Sequence, residues 1–93
     1  MKLNAYTIYD NKALQYHAPF FMAADGQAVR ALSDLVSDPN TNIGRHPGDY
    51  VLYHCGYYND STGFLSAEAP LRHIMDAQSL VKLQAETFQG IEK

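Results

Sequence analysis

The chain has 93 residues, with seven Lys and Arg against ten Asp and Glu and a formal net charge of −3. This length suits one domain, and 46% hydrophobic with 18% charged residues is the balance of a globular chain rather than a disordered one. The acidic balance, with basic residues scattered singly, excludes a protein that coats nucleic acid by bulk positive charge.

The first part of the chain predicts a β-hairpin. Residues 3–10, LNAYTIYD, alternate in character and are rich in β-forming types, and the cluster DNK interrupts them. The run ALQYHAPFFMA at 13–23 predicts the second strand. Pro19 has no amide hydrogen for a sheet, which favours a strand end or an edge at that point.

A helix is predicted next, over 26–37. Asp25 is a suitable N-cap, because its carboxylate can accept the free amide hydrogens of the first turn. A stripe of apolar residues at helical spacing follows: Ala28, Val29, Leu32, Leu35 and Val36. The helix is expected to end near Asp38, since the residue before Pro39 is pushed out of the α region.

The second half predicts a further hairpin and a helix. After a polar loop, residues 50–58 predict a strand, NDSTG at 59–63 predicts a turn, and Phe64-Leu65 predicts the beginning of a short partner strand. Apolar residues three or four apart predict a C-terminal helix at about 76–89. We therefore expect one α+β domain over 1–93, with its core in 3–70, a ββαββα order and a mainly antiparallel four-stranded sheet with two helices.

Patterns of enzymes and metal sites are missing from the sequence. It has no G-x-S-x-G, H-E-x-x-H, P-loop or G-x-G-x-x-G motif, so we expect no enzyme, no catalytic residue and no cofactor. Four His and one Cys raise the question of a metal, but zinc spacing is lacking and histidines with ordinary hydrogen bonds are the favoured interpretation. The single Cys55, the missing apolar signal region and the lack of a long apolar run favour the cytoplasm and no membrane contact.

Alternation along the third strand divides it into two faces. One face carries Val51, Tyr53 and Cys55, and the other carries Tyr50, Leu52 and His54. The first set suits burial beneath the helices better, and by the same logic the core would receive Tyr6, Ile8, Leu14 and Tyr16. The opposite, open face would then carry Tyr9, His17, Tyr50 and His54, whose rings can stack unpaired bases. The reverse assignment stays open, because a register slip of one residue exchanges the faces.

Several motifs occur in an order found in one family of phage proteins. The segments are TIYDNKALQYHAPF, DGQAVRALSDLVSDPNT, GRHPGDYVLYHCGYYNDSTG and EAP, which all lie within residues 6–70. They resemble the small non-structural protein of gokushoviruses and related microviruses, phages with circular single-stranded DNA genomes. That family has an "IYD" strand, a "DG-x-A-x-R" helix, a loop ending in "HP-x-DY", and a strand that closes on "D-x-x-TG" before "EAP".

The resemblance implies a DNA-binding accessory factor in genome replication or progeny-strand synthesis. Its partners would be single-stranded DNA and phage or host replication proteins, in the cytoplasm of the bacterial host, and it would not be a major virion component. The expected nucleic-acid-binding residues combine the open sheet face with the preceding loop: Tyr9, His17, Arg45, His46, Tyr50 and His54.

Two alternatives remain open from the sequence. The loop at 38–49 can be a structural connector, with Pro47 and Gly48 setting its turn. The protein can also be an interaction module, a homo-oligomer or a binder of a replication protein, without DNA contact. We expect a homo-oligomer, with its contact on apolar residues of the last helix: Val81, Leu83, Phe88 and Ile91.

Overall fold

Strands and helices follow one another in the predicted order, with two short helical turns added in the central loop. The structure, a computed structural model, describes residues 1–81. Strand β1 spans Lys2–Asp10, β2 Gln15–Tyr16 and β3 Phe20–Met22, and helix α1 spans Asp25–Val36. The remaining elements are helix α2 at Asn42–Arg45, a 3₁₀ turn at Pro47–Asp49, β4 at Tyr50–Asn59 and β5 at Phe64–Asp76. Residues 77–81 are helical and form α3, and Val81 is the last residue that the structure describes.

The strands form one antiparallel sheet in the order β2-β1-β4-β5. The β2 and β3 strands pair with successive parts of the same edge of β1, opposite Tyr9–Asp10 and Asn4–Tyr6 respectively. Pro19 lies between β2 and β3, so the ladder is interrupted where the chain lacks an amide donor, as expected. The predicted α+β class with a mainly antiparallel sheet is confirmed.

The hydrophobic core lies between one face of the sheet and the helices. Tyr6, Ile8 and Leu52 supply the sheet side of this core, and each is at most 5% exposed. Helix α1 packs its predicted stripe against them through Ala28, Leu32 and Val36, and Ile43, Ala77 and Leu80 complete the cluster. The expectation that Tyr6 and Ile8 face the core is confirmed.

The predicted faces of β4 are reversed in the structure. Tyr50, Leu52 and His54 are at most 7% exposed and lie on the helix side, whereas Val51, Tyr53 and Cys55 are half-buried on the other side. The register explains this, because Leu52 is paired with Ile8 and His54 with Tyr6, and residues paired directly across an antiparallel ladder share a face. The expected open face of Tyr50 and His54 was therefore wrong.

The predicted burial of Leu14 and Tyr16 was also wrong. Leu14 is 75% exposed in the turn before β2 and has a φ of 55°, a left-handed conformation typical of turns rather than strands. Tyr16 is 48% exposed and is paired with Tyr9, on the side of the sheet away from the helices.

Helix α1 begins differently from the prediction. Its N-cap is Ala24 rather than Asp25, and the Gln27 Oε1 atom accepts the amide hydrogen of Ala23 at 2.9 Å. Asp25 lies in the first turn, where its carboxylate instead accepts hydrogen bonds from the Tyr6 hydroxyl and the Arg72 guanidinium. The sequence could not show that Tyr6 and Arg72, both distant from Asp25 in the sequence, bind this carboxylate.

Strand β5 is much longer than the short partner strand predicted to begin at Phe64-Leu65. It has 13 residues, and it pairs with β4 on one side only, so it forms an edge of the sheet. Pro70 is tolerated there because an edge strand leaves one row of backbone groups unpaired. The register with β4 shifts between His54 and Gly56, opposite the stretch that contains Pro70. Of the predicted C-terminal helix at 76–89, residues 82–89 lie outside the described part of the chain, as do Leu83, Phe88 and Ile91.

Candidate ligand-binding face of the sheet

One face of the sheet has no helix packed on it in the described part of the chain. The pairing register assigns to this open face Leu3, Ala5, Thr7, Tyr9, Tyr16, Phe21, Val51, Tyr53, Cys55, Gly56, Tyr58, Leu65, Ala67, His73 and Asp76. The face continues past the irregularity at Cys55 and Gly56, because Gly56 is paired with Ala5 and Tyr58 with Leu3. It thus extends along almost the whole of β1 and β4.

Four rings form a continuous aromatic row across the open face: Tyr9, Tyr16, Tyr53 and His73. Ring centroids are 4.6 Å apart for Tyr9 and Tyr16, 6.2 Å for Tyr16 and Tyr53, and 6.0 Å for Tyr53 and His73. The row crosses β2, β1, β4 and β5, because Tyr9 is paired with Tyr16 and Tyr53 with His73. Tyr16 and His73 are exposed, and Tyr9 and Tyr53 are half-buried.

An apolar groove lies beside the row, towards the other end of the sheet. It has a volume of about 310 Å³ and is lined mainly by Ala5, Phe21, Cys55, Leu65 and Ala67. Phe21 and Leu65 are 40% and 69% exposed, so the groove is bordered by apolar surface. Burial raises the pKa of the Cys55 thiol, which keeps it protonated and makes it a small apolar wall rather than a reactive thiolate.

The open face carries little charge. None of its residues in the described part of the chain is Lys or Arg. The face carries one hydrogen-bonded histidine–carboxylate pair among the described residues, in which His73 Nε2 and Asp76 Oδ1 are 2.8 Å apart. Ligands of this face would therefore be held mainly by ring stacking and apolar contact.

The structure divides the predicted site residues between three places. Tyr9 lies on the open face, as expected. Tyr50 and His54 lie in the interior on the helix side, with 7% and 0% exposure. His17 is exposed near the end of the sheet, where its ring centroid is 5.8 Å from that of Tyr50.

Arg45 and His46 lie in the loop before β4, and the Arg45 side chain turns back onto that loop. The Arg45 guanidinium donates to Asn42 Oδ1 at 2.7 Å and to the Pro39 carbonyl at 3.5 Å. The His46 amide donates to the Asn42 carbonyl at 2.8 Å, and its side chain is exposed. These bonds support the interpretation of the loop as a structural connector.

Acidic groups accompany the cations at this end of the sheet. Backbone amides of Ala13 and Lys12 donate to the Asp10 carboxylate and hold its pKa below the usual range, and the nearby His17 acts in the same direction. Burial, together with the Asp10 carboxylate, raises the pKa of the Tyr50 phenol. A phosphate near His17 would therefore also meet the Asp10 carboxylate, which disfavours this end as an anion site.

Sequence reasoning missed three members of the aromatic row: Tyr16, Tyr53 and His73. The misassigned face accounts for Tyr16 and Tyr53. His73 was missed because the strand that carries it was predicted to begin at Phe64-Leu65 and to be short. The predicted burial of Tyr6 and Ile8 could have located Tyr53. Once the pairing register with β4 is known, these residues place their β4 partners in the core and Tyr53 on the opposite face.

The described residues contain no group of three or more His, Cys, Asp or Glu side chains arranged to hold a metal ion. No helix within residues 1–81 is both long and apolar enough to cross a membrane.

Comparison with known proteins identifies a phage family. The family model of the Phage ORF5 protein matches residues 3–80, which cover all the strands except Lys2 at the start of β1 and nearly all of the described chain. Neither the curated proteins nor the solved structures contain a significant match. The chain belongs to the Phage ORF5 protein family.

Proposed function

We propose that the protein is a phage non-structural factor that binds single-stranded DNA on the open face, in genome replication or progeny-strand synthesis. The observation that carries the proposal is the aromatic row on a sheet face without a helical cover in the described part of the chain. Membership of a phage family supports a role in the bacterial host, and the narrower link to microviruses with single-stranded DNA genomes rests on the sequence motifs.

The geometry of the row suits unpaired bases. Exposed rings on an antiparallel sheet provide stacking platforms on which single-stranded nucleic acid typically places two or three bases. Each stacked base contributes about 1–3 kcal/mol, whatever its identity, because every base has a π face. The row therefore supports weak binding with little sequence preference.

Electrostatic contributions to this binding are expected to be small. The open face has no Lys or Arg among the described residues, so few phosphates can be neutralised. Affinity should fall with salt with a shallow slope, on the order of one to three released ions.

A protein-interaction module is the second candidate, and the apolar groove favours it. A surface with exposed Phe21 and Leu65 and no basic residues among those described resembles the apolar centre of a protein interface more than a phosphate-binding surface. The occupant would be a second copy of the chain or a replication protein. In that case the protein would show a defined oligomer or partner and no affinity for oligonucleotides.

A titration of labelled oligo-dT at two salt concentrations tests the proposal. Tyr16→Ala removes an exposed ring of the row, and Phe64→Ala is the matched control, because Phe64 is 71% exposed but is paired with Asn59 outside the row. We expect Tyr16→Ala to weaken binding by about 1–3 kcal/mol and Phe64→Ala to leave it unchanged. Thermal unfolding of each variant checks that the fold is kept.

The outcomes separate the two candidates. Saturable binding that depends on Tyr16 but not on Phe64 supports the DNA-binding function. Absence of saturable binding by wild type at low salt and about pH 6 rejects it. A dimer or larger assembly in a solution mass measurement would then support the interaction module.

A further inference from the structure

The apolar groove on the open face is a cavity that stacking on the aromatic row leaves unused. Gly56 at its floor is paired with Ala5 on β1 and with Ala67 on β5. Phe21, which is paired with Ala5, borders the floor on β3, and Leu65 borders it on β5. These two bordering residues are 40% and 69% exposed, so the groove of about 310 Å³ is open to ligands.

The groove offers no side-chain hydrogen bond to a ligand. Among the described residues that line it, only Ser66 carries a side-chain oxygen or nitrogen. Ser66 is paired with Tyr57 and lies between Leu65 and Ala67, so its hydroxyl points to the opposite face of the sheet. A polar group placed in the groove would lose its water without gaining a partner, whereas an apolar group gains from burial.

The groove lies next to the aromatic row. Tyr53 of the row is paired with Thr7, and Ala5 is two residues further along β1. Side chains two residues apart on a strand share a face and are about 7 Å apart. Nucleotides in a stacked strand follow one another at about 3.4 Å, so a strand on the row reaches the groove within about two nucleotides. The exposed Phe21 ring adds a stacking surface for the base that arrives there.

We propose that the groove is the specificity pocket of the open face and that it takes the 5-methyl group of a thymine base. This inference rests on the proposed DNA-binding function, and it names the strands that the site selects, which are thymine-containing DNA. Apolar side chains such as Ala and Phe are typical contacts of the thymine methyl group. The base lies against Phe21 with its methyl group over Ala5 and Ala67, and its O2 and N3 atoms stay in water.

Other pyrimidines fit the groove less well. Uracil has the same ring and the same hydrogen-bonding groups without the methyl group, so it leaves the apolar floor uncovered. Cytosine also lacks the methyl group, and its amino group at C4 would lose water beside a groove that has no acceptor side chain among its described residues. The groove therefore selects DNA over RNA through the base, whereas proteins commonly make this distinction through the 2′-hydroxyl group.

Titration of wild type with oligo-dT and oligo-dU of equal length tests the groove, because the two strands differ only in the 5-methyl groups. We expect oligo-dT to bind about fourfold more tightly, which is the effect of one buried methyl group on affinity. Oligo-dC should also bind more weakly than oligo-dT. Equal affinity for oligo-dT and oligo-dU would overturn the inference.

The variant Ala67→Leu fills the groove from an exposed position of the edge strand β5. The ratio of the affinities for oligo-dT and oligo-dU should fall to about one, and the affinity for oligo-dU should change little because the aromatic row is intact. Ala13→Leu is the matched control, because it adds the same atoms at an exposed position in the turn before β2. It should keep the wild-type ratio. A preference for oligo-dT that persists in Ala67→Leu would also overturn the inference.

The outcomes separate the specificity pocket from the proposed function. Equal binding of oligo-dT and oligo-dU removes the pocket and leaves the DNA-binding function. Failure of wild type to bind either strand at low salt rejects both. Nuclear Overhauser contacts between thymine methyl protons and the methyl groups of Ala5 and Ala67 would support the pocket, and contacts confined to the rings of the row would contradict it.

Discussion

The substitution Gly56→Ala tests the register that creates the open face. Gly56 lies at the irregularity of β4, where the pairing shifts by one residue with β1 and by three residues with β5, because the step from His54 to Gly56 lies opposite the step from Arg72 to Ala67. A Cβ atom at this position would lie 2.1 Å from the carbonyl oxygen of Ser66 and 3.3 Å from the Cα atom of Ala67. Both atoms belong to the backbone of β5, so no side-chain rotation relieves the contact.

The cost of this substitution follows from the distance. The contact is about 1 Å shorter than carbon and oxygen tolerate, and relief requires β4 and β5 to separate where they pair. Overpacking of this kind costs about 1–3 kcal/mol and sometimes more, and the absence of a flexible neighbour places Gly56→Ala at the upper end. That is a large part of the roughly 5–10 kcal/mol expected for a domain of this size.

Urea denaturation of wild type, Gly56→Ala and the matched control Gly26→Ala measures the effect. Gly26 lies in the first turn of α1 with nothing within 4 Å of the place that an alanine methyl group would take, so Gly26→Ala should be neutral or stabilise by up to about 1 kcal/mol. Loss of about 3 kcal/mol in Gly56→Ala alone supports the register. Equal stability of the two alanine variants would refute the reasoning, and with it the assignment of Tyr58 and Leu65 to the open face.

Further predictions concern the core, the acid range and the phenol of Tyr6. Leu32 is 1% exposed, so Leu32→Ala should lose about 2–5 kcal/mol in denaturant titrations, and Leu32→Asp should leave the circular dichroism of an unfolded chain. Hydrogen bonds from Arg72 and, to a lesser extent, Tyr6 hold the pKa of Asp25 below its usual range. The ionised Asp25 therefore stabilises the fold at a pH above the pKa of the unfolded chain, and this stabilisation is lost as the pH falls through the pKa of the folded protein. In Asp25→Asn, the free energy of unfolding should vary less with pH between about pH 2 and 5. Tyr6→Phe removes the 2.6 Å hydrogen bond from the Tyr6 hydroxyl to the Asp25 carboxylate, and it should lower the free energy of unfolding by about 1–3 kcal/mol. An unchanged free energy of unfolding would show that this hydrogen bond makes no net contribution to stability.

Sequence patterns correctly predicted the buried face of those helices and strands that have a single apolar face. The stripe of α1 is one such element, because its apolar residues recur at helical spacing and the intervening positions are mostly polar. Residues Tyr6 and Ile8 of β1 are another, and both are buried as expected.

The faces of β4 could not be predicted, because both phases of that strand are apolar or aromatic. Val51, Tyr53 and Cys55 look as suitable for a core as Tyr50, Leu52 and His54. What makes His54 the buried residue is a set of polar partners, Asn4 and Glu68, that are 50 and 14 residues away in the sequence. Such partners are brought together only by the fold, so the candidate site was displaced to the wrong side of the sheet.

Binding of DNA at the aromatic row is tested most directly by NMR of the tyrosine rings during a titration with oligo-dT. Bases that stack on the row should shift the ring signals of Tyr9, Tyr16 and Tyr53 upfield, in proportion to the bound fraction. Tyr6 and Tyr50, buried on the helix side, should change little. Signals of the row that stay unshifted at saturating oligonucleotide, or shifts confined to the helix side, would contradict the account.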